Sequence, residues 1–168
     1  MAKSSGFKGI RAVVLTVSDS CAHGRRKDTS GAFLCQLLKN RSAFVLKKDI
    51  CGDTEARIKN KFKYFCDKLK ADLVLSTGGT GLGPRDVTPE ATKAVIKKET
   101  FGIAELMRLE GLKKTRRAAL SRAVAGVRGK TLIINLPGSP KGACESFLAV
   151  AELIPHALAM IRGEGHPR

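Results

Sequence analysis

Leu73-Val74-Leu75-Ser76-Thr77-Gly78-Gly79-Thr80-Gly81 joins a short apolar run to a glycine-rich turn, and Thr88-Pro89-Glu90 then reads as a helix start. Thr88 is expected at the N-cap and Pro89 at the first helical position. The design recurs in Leu132-Ile133-Ile134-Asn135-Leu136-Pro137-Gly138-Ser139-Pro140, which leads into an amphipathic stretch from Lys141 to Leu153. Apolar strands alternating with helices predict a layered α/β fold around a mainly parallel sheet.

The neighbouring segments extend that frame. Ala12 to Val17, Ala43 to Lys47 and Asp72 to Ser76 read as strands, the first apolar enough to be covered on both faces. Thr29 to Leu38 and Thr54 to Lys70 carry apolar residues at helical spacing. A further helical pattern runs from Thr88 to about Gly111 with a break near Thr100. Ala123 to Val127 and Thr131 to Asn135 suggest two strands turning at Arg128-Gly129, and Pro155 to Ile161 a last helix. The basic stretch Leu112 to Arg122 has no clear pattern. One domain is expected over residues 1–168, with its core at about 9–162. Only the ends, Met1 to Lys8 and Gly163 to Arg168, are expected to be disordered.

Composition narrows the possible partners. Apolar residues make up 43% of the 168, but aromatics only 5%, so Val, Leu, Ile and Ala must build the core. Lys and Arg number 31 against 15 Asp and Glu, a net charge of +16 that attracts polyanions. The charge is scattered, from Arg25–Lys27 to Arg122–Lys130, and reads as solvated faces. No nucleic-acid-binding motif accompanies it, so no specific nucleic-acid partner is expected. The five cysteines form no C-x-x-C pair, which argues against a disulfide framework and a zinc site. No segment approaches a membrane-spanning length and no signal peptide is evident, so the cytoplasm is the expected compartment.

The chemistry should sit where the turns are. In open parallel sheets ligands bind beyond the carboxyl ends of strands, where backbone N–H groups and helix starts hold anions. Familiar nucleotide motifs are absent. Pro84 replaces the last glycine of G-x-G-x-x-G, and Gly129-Lys130-Thr131 lacks the earlier glycine of a P-loop, that position being Val124. Asp19, Asp53 and Asp86 each follow a predicted strand or the glycine loop, on one rim. Such a rim suits Mg²⁺ with polyphosphate. On the residues alone, helix capping is the favoured reading of Asp53 and Asp86. The histidines His23, His156 and His166 form no cluster, and no serine elbow occurs, so zinc or serine-triad hydrolysis lacks support.

Four blocks in order resemble the molybdopterin-binding family that includes MogA, MoaB and the gephyrin G domain. They are Thr16-Val17-Ser18-Asp19-Ser20 with Asp28-Thr29-Ser30-Gly31, Thr77-Gly78-Gly79-Thr80-Gly81 with Arg85-Asp86-Val87-Thr88-Pro89-Glu90, Leu120-Ser121-Arg122, and Asn135 to Gly142. The resemblance implies a three-layer, doubly wound α/β domain with helices on both faces, assembled as a homotrimer. It implies that ATP and molybdopterin give adenylyl-molybdopterin and pyrophosphate with Mg²⁺. Asp53 and Asp86 would be catalytic and hold the metal. Ser18, Asp19, Asp28, Ser30, Gly78, Gly79, Thr80, Gly81, Ser121, Asn135, Pro137, Gly138, Ser139 and Lys141 would bind the substrates. A molybdate-inserting enzyme would act downstream.

Three rivals stand beside this reading. The chain could hold molybdopterin as a binding module or scaffold without adenylation. It could share the fold of the molybdate-inserting enzyme, although it is short for that enzyme's extra domains. It could bind nucleic acid through its charge, with strong salt dependence.

Overall fold

Side chains that alternate along each strand set the layers of this molecule, whose computed structural model describes residues 5–164. Ala12 and Val14 join Leu73, Leu75, Leu132 and Ile134 in one core cluster. Val13, Leu15 and Val17 join Val74 and Ile133 in a second, on the opposite face. Both faces are therefore buried, as the continuous apolar strands predict.

The sheet has six strands: β1 (Arg11–Val17), β2 (Phe44–Cys51), β3 (Leu73–Thr77), β4 (Lys98–Glu99), β5 (Ala125–Arg128) and β6 (Thr131–Leu136). Their order is β2-β1-β3-β6-β5-β4. The first four are parallel, and β5 and β4 add an antiparallel edge. The short α1 (Asp19–Ala22) follows β1. Helices α2 (Thr29–Asn40), α5 (Phe101–Leu112), α6 (Pro140–Val150) and α7 (Ile154–Arg162) supply the first cluster through residues such as Leu34, Met107, Phe147 and Leu158. Helices α3 (Glu55–Lys63) and α4 (Thr88–Lys93) supply the second through Ile58, Phe62 and Ala91. The result is the three-layer, doubly wound fold.

Several local expectations change. The second strand runs on to Cys51, because its parallel register with β1 continues to Val17 opposite Cys51. The helix expected over Thr54–Lys70 loosens after Lys63 into a π-turn, Tyr64–Lys68, where the Leu69 N–H reaches the Tyr64 carbonyl. The break near Thr100 is a short edge strand, β4, paired with β5. The basic stretch after α5 contains a 3₁₀ turn, Arg116–Leu120. Thr88 is inside α4 rather than at its cap, which is Val87; its hydroxyl is diverted to the glycine loop.

The ends also differ. Ser5–Phe7 forms a 3₁₀ turn, and Phe7, 2% exposed, packs edge-on against Phe147. Gly163 caps α7 in a left-handed conformation. Residues 1–4 and 165–168, His166 among them, lie outside the described residues. Pro140–Arg162 is near-continuous helix of 23 residues, with an 18-residue window of mean hydropathy 1.5, long and apolar enough to cross a membrane by length and composition, contrary to expectation. The reason is that Pro155 sits in the first turn of α7, where proline does not break a helix. Ala143, Phe147, Val150, Ile154 and Leu158 of this stretch belong to the core against the sheet.

Candidate functional site

The two glycine turns meet at the carboxyl ends of β1, β3 and β6. Gly78 has φ +102°, and a Cβ there would lie 2.2 Å from the Val17 carbonyl oxygen, so only glycine fits. Its N–H donates to the Leu136 carbonyl at 3.1 Å. The Thr77 hydroxyl donates to the Pro137 carbonyl at 2.6 Å, and the Ser30 hydroxyl to the Gly138 carbonyl at 2.7 Å. The second turn is thereby held against the first.

The first turn shows a consistent orientation. The Gly78 carbonyl accepts from the Thr88 hydroxyl at 2.9 Å, and the Gly79 carbonyl from the Thr88 N–H at 3.1 Å. The Thr80 carbonyl accepts from the Arg122 N–H at 2.9 Å, and the Gly81 carbonyl from Arg122 Nε at 2.8 Å. The peptide bonds are trans, so each tied carbonyl points the next N–H in the opposite direction within the peptide plane. Among the described residues, the N–H groups of Gly79, Thr80 and Gly81 have no protein acceptor. Donors of this kind suit an anion.

The carboxylates form a second layer. Asp53 Oδ2 accepts the Asp19 N–H at 2.7 Å, and Asp19 Oδ1 accepts the Asp53 N–H at 2.9 Å. Arg85 donates to the other oxygen of Asp19. The Asp53 N–H, and then Arg85, hold the Asp19 carboxyl below its ordinary range. Desolvation, with the negative charges of Asp19 and Asp86 added, pushes Asp53 up. Neither Asp53 nor Asp86 is a helix cap: Thr54 and Val87 occupy those positions. Asp86 instead accepts the Gly83 N–H at 2.8 Å within the loop. Asp28 does cap α2, accepting the Gly31 N–H at 2.9 Å, and pairs with Lys48.

These groups line a cavity of about 720 Å³. Ser18, Asp19, Asp28, Ser30, Asp53, Gly78, Gly79, Asp86, Gly138 and Ser139 all face it. A second cavity of about 380 Å³ takes Thr80, Gly81, Ser121, Pro137 and again Ser139, with Met107, Ala118 and Leu120 giving it an apolar wall. Two expected residues are elsewhere. Asn135 is fully buried; its amide donates to Ser76 and Thr92 and accepts from the Val124 N–H. Its amide is spent on β3, α4 and the segment before β5, and it lines neither cavity. Lys141 projects from the first turn of α6 into a separate shallow cavity beside Phe33 and Cys144.

Other site residues were missed. Arg25, Arg26 and Lys27 wall the large cavity, so this run is not simply a solvated face, and Arg26 bonds the Ser18 hydroxyl. The clue was its position directly between α1 and Asp28. Thr16 also lines the cavity, and its buried hydroxyl oxygen has no protein partner. Arg108 and Arg117 face the smaller cavity, and no sequence signal distinguished them from other basic residues.

A metal cage made by protein alone does not fit. Among the described residues no three His, Cys, Asp or Glu side chains are placed to hold one ion. Mg²⁺ carried by a polyphosphate does fit, because it needs only one or two protein carboxylates. Asp53, poorly compensated by positive charge, with Asp86 on the same cavity, would be those ligands.

Comparison with known proteins adds an independent view. Residues 13–156 match the family described as "Probable molybdopterin binding domain". The chain is 42% identical over 155 residues to the molybdopterin adenylyltransferase of Helicobacter pylori strain J99, covering 89% of this chain and 86% of that one. It is 42% identical over 149 residues to the molybdenum cofactor synthesis protein cinnamon of Drosophila melanogaster, covering 88% of this chain but 25% of that one. The chain thus spans about a quarter of cinnamon's length and most of the bacterial protein's. Its fold matches the molybdopterin biosynthesis enzyme MoaB from Thermus thermophilus with a TM-score of 0.87 and 49% identity, over 92% of this chain and 97% of that one.

Proposed function

The chain belongs to the molybdopterin-binding domain family, and on that premise we propose that it is a molybdopterin adenylyltransferase acting in molybdenum-cofactor biosynthesis. Its substrates are ATP and molybdopterin. An oxygen of the terminal phosphate of molybdopterin attacks the α-phosphorus of ATP. The bond from that phosphorus to the β-phosphate oxygen breaks, and pyrophosphate leaves.

One observation carries the reading: four successive carbonyls of Gly78–Gly81 are tied to protein donors beside a cavity lined by Asp19, Asp53 and Asp86. The turn amides bind phosphate oxygens, and Arg25, Arg26 and Lys27 attract the two polyanions. Asp53 and Asp86 hold Mg²⁺, which supplies charge neutralisation on the phosphates when bound. The remaining task is positioning, so the lack of a nucleophilic side chain fits phosphoryl chemistry. The smaller, partly apolar cavity across Ser139 gives a second substrate ring a place to lie. The working form in this reading is a homotrimer in the cytoplasm, passing its product to a molybdate-inserting enzyme.

The test is to incubate the protein with molybdopterin, Mg-ATP and a pyrophosphatase and to look for adenylyl-molybdopterin. ATP-dependent product is expected. Tight binding of molybdopterin with no product would leave a binding module instead.

A further inference from the structure

Arg122 has a larger part in this rim than its surface ion pair suggests. Its Nε donates to the Gly81 carbonyl at 2.8 Å, one Nη to the Asp86 carbonyl and the other to the Glu90 carboxylate. Its own N–H holds the Thr80 carbonyl. One residue therefore fixes two of the four oriented peptides of the glycine turn, and the backbone that carries Asp86. Arg122 itself touches neither cavity, whereas Ser121 beside it lines the smaller one.

We propose that Arg122 is a positioning residue, which keeps the N–H groups of the glycine turn and the Asp86 side chain in the geometry that receives a polyphosphate. The proposal rests on reading that turn as a phosphate seat. Three donors in a rigid plane meet three acceptors, the Gly81 and Asp86 carbonyls of one loop and the Glu90 carboxylate of α4, a match lysine cannot reproduce. Backbone carbonyls are weak partners singly. Here they are bonded to a charged donor, which strengthens each bond and removes freedom from a turn rich in glycine.

A merely stabilising ion pair makes a different prediction. If the bond to Glu90 were what mattered, Glu90→Gln and Arg122→Ala would be equivalent. If the turn is what matters, Glu90→Gln leaves the bonds to Gly81 and Asp86 intact and is mild.

The experiment measures binding of Mg-ATP and of inorganic tripolyphosphate by calorimetry, with turnover to adenylyl-molybdopterin alongside. Arg122→Ala should weaken both ligands by roughly 10–100-fold, the loss of about one to two charge-assisted bonds. Arg122→Lys should fall between, Glu90→Gln should stay within about threefold, and added methylguanidinium should restore part of the binding to Arg122→Ala. In turnover, kcat should fall and KM should rise. Unchanged ligand binding in Arg122→Ala, an equal loss in Glu90→Gln, or no rescue would overturn the proposal. Should Arg122→Ala not fold, Arg122→Lys against Glu90→Gln decides the matter by the same binding measurement. A wild-type protein that binds tripolyphosphate but makes no adenylyl product would defeat the adenylyltransferase reading and leave this comparison intact.

Discussion

Asp19 and Asp53 hold each other, each carboxylate accepting the other's backbone N–H, at 2.9 and 2.7 Å. The exchange ties the loop after β1 to the loop after β2 and leaves the two side chains facing the same cavity. Arg85 compensates Asp19, and Asp53 is left with two negative neighbours. Burial and these two charges disfavour an ionised Asp53, a cost that the magnesium of the proposed function would offset.

Asp53→Asn should stabilise the ligand-free protein at neutral pH. A carboxyl pushed up in the fold contributes stability below its unfolded value, near about 4, and loses it as pH rises through the higher folded value. The amide oxygen of Asn still accepts from the Asp19 N–H. Melting curves at pH 7 should show the variant higher by on the order of 2 °C, and the gap should close below about pH 4. Adenylyl transfer should be lost in the same variant, the trade expected where charges are kept for function.

Asp86→Asn should separate chemistry from folding. The Gly83 N–H keeps an oxygen acceptor, so the melting temperature should stay within about 2 °C. A kcat lower by roughly 10²–10³ is expected for loss of a group that holds charge in the transition state. Steady-state kinetics with a parallel melt checks both statements.

Asn135→Ala should behave in the opposite way. Its amide makes three buried hydrogen bonds, two to side chains and one to the Val124 N–H. Leaving those partners unsatisfied costs about 2–3 kcal/mol, measurable by urea unfolding. At a temperature where the variant is folded, KM for both substrates should stay within about twofold, since the residue lines no cavity.

Gly78→Ala should damage the fold and the site together. The new methyl would meet the Val17 carbonyl oxygen at 2.2 Å with the backbone in a left-handed conformation. A loss of at least about 2 kcal/mol is expected, with Mg-ATP binding weakened beyond detection in the fraction that folds.

The layers were legible because their signal is local. Leu73-Val74-Leu75 and Leu132-Ile133-Ile134 are too apolar to face water on either side, and they lie in adjacent parallel strands with helices above and below. The edge strand Lys98–Glu99 was not legible, since two polar residues carry no period and their strand form comes from pairing with Val127 and Gly126. The site was half legible. Gly78, Gly79, Asp53 and Asp86 announce themselves through residue type next to a strand end. Asn135 has the same credentials, and only packing reveals that its amide is spent on Ser76 and Thr92. Arg122 shows the converse: in a basic chain an arginine has no individual signature, and its bonds to Gly81 and Asp86 span 41 and 36 residues.

The central claim is that this rim transfers the adenylyl group of ATP to a pterin phosphate. A single-turnover reaction with excess protein, molybdopterin and ATP labelled at the α-phosphorus tests it most directly. The account predicts that the label moves into a pterin adduct with one pyrophosphate released per adduct, and that Asp86→Asn binds nucleotide but moves no label. Label that stays in ATP or emerges as free AMP beside unmodified pterin, or transfer by Asp86→Asn at the wild-type rate, would contradict it.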